Sequence, residues 1–158
     1  MTTQETIITE FDFSDPTHQK ALAYLMNGYI ADDMGGGVLL TSEQQATVIE
    51  WLKNHSQTVA YLALTNDMPS GLIIGYQNLS TFTAKPMINI HDVFVDNRFR
   101  GLGIGRMLME KLTEYAKLQG CSRITLEVRH DNITAQNLYK SLGFEDTEPP
   151  MYFWRMHL

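Results

Sequence analysis

The chain has 158 residues, a net charge of -6, and 44% hydrophobic against 19% charged residues. That balance fits one domain over residues 1–158 with a proper core. It excludes non-specific nucleic-acid binding, and no run approaches the roughly 18 apolar residues of a membrane span. The single cysteine, Cys121, excludes an internal disulfide and a cysteine-built metal site, so no metal is expected. A basic-then-apolar leader is missing at the N-terminus, which makes a cytoplasmic setting the expectation.

Residues 6–11 read as a strand. Asp15-Pro16 then opens a helix, with a capping side chain before a proline at the first helical position. The run Asp33-Met34-Gly35-Gly36-Gly37 stops it, and Thr41 or Ser42 caps a second helix. Strands follow over 58–64, 72–82 and 87–95, with turn chemistry at residues 66–71 and at Lys85-Pro86. Ile104, Leu108, Leu112 and Ala116 then recur at helical spacing over 103–118. Residues 123–129 alternate, with Ile124, Leu126 and Val128 on one side. A short helix over 132–142 ends at Gly143, and two strands are expected from Phe144 and over 151–158. Strands in series followed by strand–helix–strand predict a mixed α/β sheet with helices on its faces and one right-handed parallel crossover.

The charge is unevenly spread. Residues 1–90 carry 9 acids and 3 bases, while residues 91–158 carry 9 of each. The acidic half suits either plain solvated surface or a pocket for a cationic acceptor.

The segment from Val93 to Arg106 carries the chemistry. A strand (Val93-Phe94-Val95) enters Arg100-Gly101-Leu102-Gly103-Ile104-Gly105-Arg106, which leads into the helix. Main-chain N–H groups at such a turn, with the helix dipole behind them, suit phosphate oxygens. A P-loop is excluded because no lysine and hydroxyl follow Gly105, and a dinucleotide fingerprint is broken at Arg106, which disfavours an NAD(P) oxidoreductase. What remains is Arg100-x-x-Gly103-x-Gly105. It resembles the [RQ]-x-x-G-x-[GA] loop of the GNAT superfamily of N-acetyltransferases. Residues 132–144 are similar to that family's N-x-x-A-x-x-x-Y-x-x-x-G-F signature, with Asn132, Ala135, Tyr139, Gly143 and Phe144 in place.

The resemblance implies a GNAT-like fold, a mostly antiparallel sheet splayed between a parallel fourth and fifth strand. It implies acetyl-CoA as cosubstrate and direct transfer to a primary amine of a small molecule or peptide in a ternary complex. A non-catalytic acyl-CoA-binding regulator on the same fold is the alternative. The implied cofactor contacts are Val93, Phe94, Val95, Arg100 to Arg106, Asn132, Ala135 and Tyr139. Val95 N–H would meet the thioester oxygen, and Tyr139 would protonate the leaving thiolate. His91 is the base candidate, since an imidazole titrates near neutrality. Strand alternation places Asn89, His91, Val93 and Val95 on one face and Asp92 on the other. Met34, Phe82, Asn89 and His91 would line the acceptor pocket. Tyr152, Phe153 and Trp154 read as core or as a subunit contact, and a homodimer accords with the family's habit.

Overall fold

The computed structural model describes residues 5–158. The chain divides into two compact units, one running to Glu127 and one comprising Val128–Leu158.

The first unit is built on a five-stranded sheet in the order β1 (Thr6–Glu10), β2 (Thr58–Thr65), β3 (Met68–Ser80), β4 (Lys85–Val95) and β5 (Ile124–Leu126). β1 to β4 pair antiparallel, and β4 pairs parallel with β5. Helices α1 (Pro16–Ala31) and α2 (Ser42–Asn54) precede β2, and α3 (Ile104–Leu118) connects β4 to β5.

Local chemistry explains the boundaries. Asp15 accepts a hydrogen bond from Thr17 N at 2.7 Å, and Pro16 follows it with φ already set for α1. Thr41 and Gln44 form a reciprocal capping box at the start of α2. The β2–β3 turn is only two residues long. Asn66 and Asp67 both take positive φ, the geometry that matches a hairpin's twist, so β3 starts earlier than residue 72.

Each sheet face carries its own apolar layer. Leu22, Leu25 and Leu52 from α1 and α2 pack with Leu62, Leu72, Ile74 and Phe94 on one side. On the other, α3 presents Ile104, Leu108 and Leu112. Gly71 lets α3 sit close: a Cβ there would meet Phe94 O at 2.9 Å and the side chains of Ile104 and Leu108 at 3.2 Å.

One irregularity governs β4. Ile74 of β3 stands opposite Asp92, while the next residue, Gly75, stands opposite Ile90, so His91 is an extra residue in the ladder. Ile88 therefore lies on the α3 side, its Cγ2 at 3.0 Å from where a Gly75 Cβ would be, whereas Phe94 packs into the α1–α2 cluster. The alternation expected through residues 89–95 is broken at this bulge. Val93 and Val95 do not share a face with Asn89.

The end of β4 is tied to α1. Asp96 is buried and accepts hydrogen bonds from Arg98 N (2.9 Å), Arg98 Nε (3.1 Å) and Arg98 Nη2 (3.0 Å). The Tyr24 hydroxyl of α1 also donates to it, and Arg98 Nη2 donates to Tyr24 Oη at 2.8 Å. Burial alone would raise the Asp96 carboxyl, but the bonds from Arg98 and Tyr24 outweigh it and hold its pKa at about 2.

The second unit holds α4 (Ile133–Ser141), capped by Asn132 Oδ1 accepting from Ala135 N at 3.2 Å. Neither strand expected after Gly143 forms. Pro149 and Pro150 supply no ladder donors, and residues 151–158 are exposed rather than core.

Because the Asp96 carboxylate is stabilised in the folded state, its contribution is present above the unfolded carboxylate range and is lost on acidification. Asp96→Asn should cost about 2 kcal/mol at pH 7, the worth of hydrogen bonds to a charged group. Chemical denaturation of both proteins should show that difference shrinking between pH 4 and pH 2.

Candidate active site

The sequence-predicted loop folds as a glycine turn onto a helix. Asp96 caps a short 3₁₀ turn over Asn97–Phe99. Gly101 (φ 82°) and Gly103 (φ 79°) then take left-handed conformations with open space around them, so backbone geometry and not crowding selects glycine there. Gly103 is the N-cap of α3 and supplies no side-chain acceptor to its first turn. The helix dipole at that turn favours an anion. Gly105 differs from the other two: it is an ordinary second residue of α3. The Ile104 side chain is buried, leaving only its main chain for a ligand, whereas Leu102 is half-exposed. Arg106 pairs with Glu110 at 3.7 Å along the helix surface.

The main chain of β4 completes this arrangement. Asp96 N donates to Ser70 O at 2.9 Å, which fixes the phase of the β3–β4 ladder. With antiparallel alternation, Asp92 and Phe94 bond to β3, and the N–H and C=O groups of Val93 and Val95 point away from it. β5 pairs only with Ile88, Asn89 and Ile90. Beyond Ile90 the sheet is splayed, and the peptide edge at Val93 and Val95 has no strand beside it. Phe94, expected to contact a cofactor, presents neither group to that edge. Its ring stacks on Tyr29 at 5.7 Å and its peptide belongs to the β3 ladder.

Arg100 closes the corner. Its Nε donates to Val95 O at 3.1 Å and its Nη2 to Asp32 Oδ2 at 2.7 Å, with the guanidinium 5.8 Å above the Phe94 ring. Asp32 is held in turn by Met34 N, and that bond together with Arg100 keeps its carboxyl below the usual range. The Arg100 charge is therefore already paired. Met34 belongs to this corner.

A second set of groups gathers on the α1–α2 side of the sheet. Tyr76 lies opposite Asn89, with its ring 5.6 Å from His91 and 5.2 Å from His55. Asn89 Nδ2 donates to Thr125 Oγ1 at 3.1 Å and Glu127 Oε1 at 3.4 Å. Asp92, opposite Ile74, is also on this side, contrary to the alternation. Burial pushes its carboxyl above the ordinary range, and the adjacent His91 opposes part of that rise. Burial, with the Asp92 charge, likewise raises the Tyr76 phenol. Asn89 and His91 thus come together as expected. Phe82 does not join them: it is 92% exposed at the β3–β4 turn, ten strand residues from Val95, roughly 30 Å at the usual rise. Tyr76, His55 and Glu127 are polar neighbours that sequence reasoning did not bring here, and Asp92, expected on the opposite face, joins them. Only the cross-strand register and the bulge reveal them.

In the second unit, Tyr139 is half-buried on α4, 5.9 Å from the Phe144 ring. Asn132 and Ala135 are joined by the cap. A cavity of about 240 Å³ opens elsewhere, lined by Glu10, Phe11, Leu52, His55, Tyr61 and Tyr115. It touches the polar group only through His55. Among the described residues, no group of three His, Cys, Asp or Glu side chains is placed to hold a metal, and no helix is long and apolar enough to cross a membrane.

Residues 24–144 match the family described as acetyltransferase (GNAT) family. The chain belongs to that family. Among its relatives is an uncharacterized N-acetyltransferase of Methanocaldococcus jannaschii, 35% identical over 108 residues, 68% of this chain and 48% of that protein. A thialysine N-epsilon-acetyltransferase of Mus musculus is 32% identical over 96 residues, 58% of this chain and 56% of that one. This GNAT chain spans about half the length of these two curated relatives. Its fold is shared with an aminoglycoside N-acetyltransferase solved in complex with CoA, at a TM-score of 0.78 and 16% identity, covering 98% of this chain and 97% of that one.

If the left-handed turn shapes the GNAT anion site, then Gly103→Ala should lower coenzyme A affinity. Forcing an L side chain into that conformation costs about 1–2 kcal/mol, or roughly tenfold in affinity if the strain falls on the bound state. Titration calorimetry against the unaltered chain checks this, with the α3 helix signal as a folding control.

Proposed function

We propose that residues 1–158 act as one acetyl-CoA-dependent N-acetyltransferase domain whose acceptor is a primary amine of a small molecule or peptide. The observation that carries this reading is the juxtaposition at the end of β4: a peptide edge at Val93 and Val95 with no strand of the sheet beside it, running directly into a glycine turn that caps α3. A diphosphate needs the turn and an extended amide-bearing arm needs the edge, and coenzyme A has both.

Acetyl-CoA would supply an activated thioester. Main-chain donors from Gly101 to Arg106 would hold its diphosphate, with Leu102 and the Asn132–Ala135 cap as further contacts. The Val95 N–H is preorganised to donate to an oxygen that gains negative charge, because the carbonyl of the same peptide unit, that of Phe94, is held in the β3 ladder. Arg100 is on this reading a positioning residue, its charge spent on Asp32.

The amine must be neutral to attack. His91 and Asp92 are the groups proposed to take its proton. Desolvation moves Asp92 toward neutrality, which makes it a stronger base than an exposed carboxylate. Asn89 and Glu127 offer acceptors for an ammonium arriving on that side. Tyr139 is proposed to return a proton to the departing sulfur. The relatives' acceptors, thialysine in one and an aminoglycoside in another, are both cationic amines.

Coenzyme A release measured over an amine panel tests the activity, and tight cofactor binding without turnover would favour the regulator alternative. Asp92→Asn should reduce kcat by about 100-fold or more and flatten the acidic limb of the pH–rate profile. The same change should raise the thermal midpoint at pH 8. A carboxyl whose folded pKa is raised costs stability once pH exceeds its unfolded pKa, and that cost should vanish near pH 3. Tyr139→Phe should lower kcat with little change in KM for the amine.

A further inference from the structure

β2 outruns its neighbour β1, and the cavity of the first unit opens where β1 has ended. β1 pairs with β2 only from Tyr61 to Thr65, and its last main-chain contact is Phe11 N donating to Ala60 O at 3.0 Å. Gln77 N donates to Gln57 O at 2.9 Å, which fixes the phase of the β2–β3 ladder. Val59 and Tyr61 therefore turn their peptides to β3, and Thr58 and Ala60 turn theirs to the β1 side. Thr58 N is taken by His55 O at 3.0 Å, which leaves the Thr58 carbonyl facing the gap.

The cavity has two chemically unlike ends. Glu10 lies opposite Tyr61 in the β1–β2 ladder, and cross-strand partners share a face, so both join Tyr115 on the α3 side. Burial raises the Tyr61 phenol and the Glu10 charge adds to the rise, which keeps a neutral hydroxyl beside a carboxylate. At the other end, Lys53 lies in the last turn of α2 and His55 is its C-cap, with His55 Nδ1 3.3 Å from Thr58 Oγ1. Phe11, Phe13 and Leu52 supply an apolar wall. Among the described residues, neither Glu10 nor Lys53 is in an ion pair. The volume of about 240 Å³ equals roughly eight waters at about 30 Å³ each, below the roughly 300–1,000 Å³ of sites for drug-sized ligands.

We propose that this cavity is a second ligand site, for a small zwitterion: a free α-amino acid with an apolar or aromatic side chain. Its ammonium sits at Glu10, with Tyr61 Oη and Thr58 O as further acceptors, and its carboxylate sits at Lys53 and His55. A plain cation would meet Lys53 unanswered and a plain anion would meet Glu10, so only a molecule with both charges uses both ends. The wall of Phe11, Phe13 and Leu52 takes the side chain. The occupant is not the amine presented for acetylation. Thr58 is level with Tyr76 and Asn89 across the sheet, and Val95 lies six residues further along β4, roughly 20 Å at the usual rise. The site reaches the group around His91 only through His55, whose ring lies 5.2 Å from that of Tyr76. It therefore stands or falls separately from the proposed acetyl transfer.

Amide NMR of the isotope-labelled full chain, titrated with L-phenylalanine, tests this. Shifts should centre on Phe11, His55, Thr58 and Tyr61 and saturate with a Kd below about 1 mM. Phenethylamine, which lacks the carboxylate, and hydrocinnamate, which lacks the ammonium, should each bind about tenfold more weakly, the worth of a hydrogen bond to a charged group. Glu10→Gln and Lys53→Met change exposed side chains, so the spectrum should otherwise persist while each weakens L-phenylalanine by about tenfold. A Kd above about 1 mM for L-phenylalanine, L-leucine and L-methionine alike overturns the proposal. So does equal binding by either one-charge analogue, a set of shifts confined to residues 93–106, or unchanged affinity in either variant.

Discussion

The extra residue at His91 is the constraint from which the proposed site follows. Ile88 N donates to Arg123 O, on the β5 side of β4. In an unbroken strand, Ile90, Asp92 and Phe94 would aim their peptides the same way. The bulge reverses this. After it, Asp92 and Phe94 bond to β3, and Val93 and Val95 turn their N–H and C=O groups to the side where β5 has already ended. The side chains reverse together with the peptides. Asp92 would otherwise project into the apolar layer beneath α3, where a carboxylate has no partner. It projects instead to the side of Tyr76, beside His91. One inserted residue thus places a base candidate on one side of the strand and frees a main-chain donor at its edge.

Such an edge is useful only if it is rigid, and two ionic clusters hold it. Tyr24, Asp96 and Arg98 bind the strand's end to the middle of α1, and Arg100 bridges Val95 O to Asp32 at the C-cap of that helix. Helix α1 therefore contacts the exit of β4 at two points about two turns apart. Both clusters pair every charge they bury. This matters because a lone carboxylate as buried as Asp96 would titrate upward rather than hold at about 2. Asp92 is the contrasting case, a carboxyl with burial and little compensation. Its instability is what gives it proton affinity, in line with the general tension between stability and active-site chemistry.

The sequence carries the element order and the glycine turn in plain form. Caps at Asp15 and Thr41, helical periodicity in α3 and alternation in the strands are local signals, and local signals survive without an alignment. The bulge is not local. It exists only in the register of β3 against β4, and nothing in Asn89 to Val95 announces it. Alternation therefore put Asp92 on the wrong side and hid Tyr76 and Glu127. The distance between Met34 and Phe82 was equally illegible, since both sit in turns and a turn's side chains carry no periodic pattern. The strands expected after Gly143 have strand composition, but composition cannot say which edge a strand joins.

The Arg100 contacts also bear on why this motif position accepts arginine or glutamine. If the side chain served chiefly to neutralise phosphate, an uncharged amide would be a poor substitute. In this structure the guanidinium is already neutralised by Asp32, and its use is to donate a hydrogen bond to Val95 O at 3.1 Å. An amide N–H can do that as well. On the proposed function, affinity for a diphosphate would then come from main-chain N–H groups and the α3 dipole, which every residue type supplies provided that the turn can form. On that logic the motif encodes backbone shape: glycines at 101 and 103 permit the turn, and the donor at 100 pins the strand that feeds it.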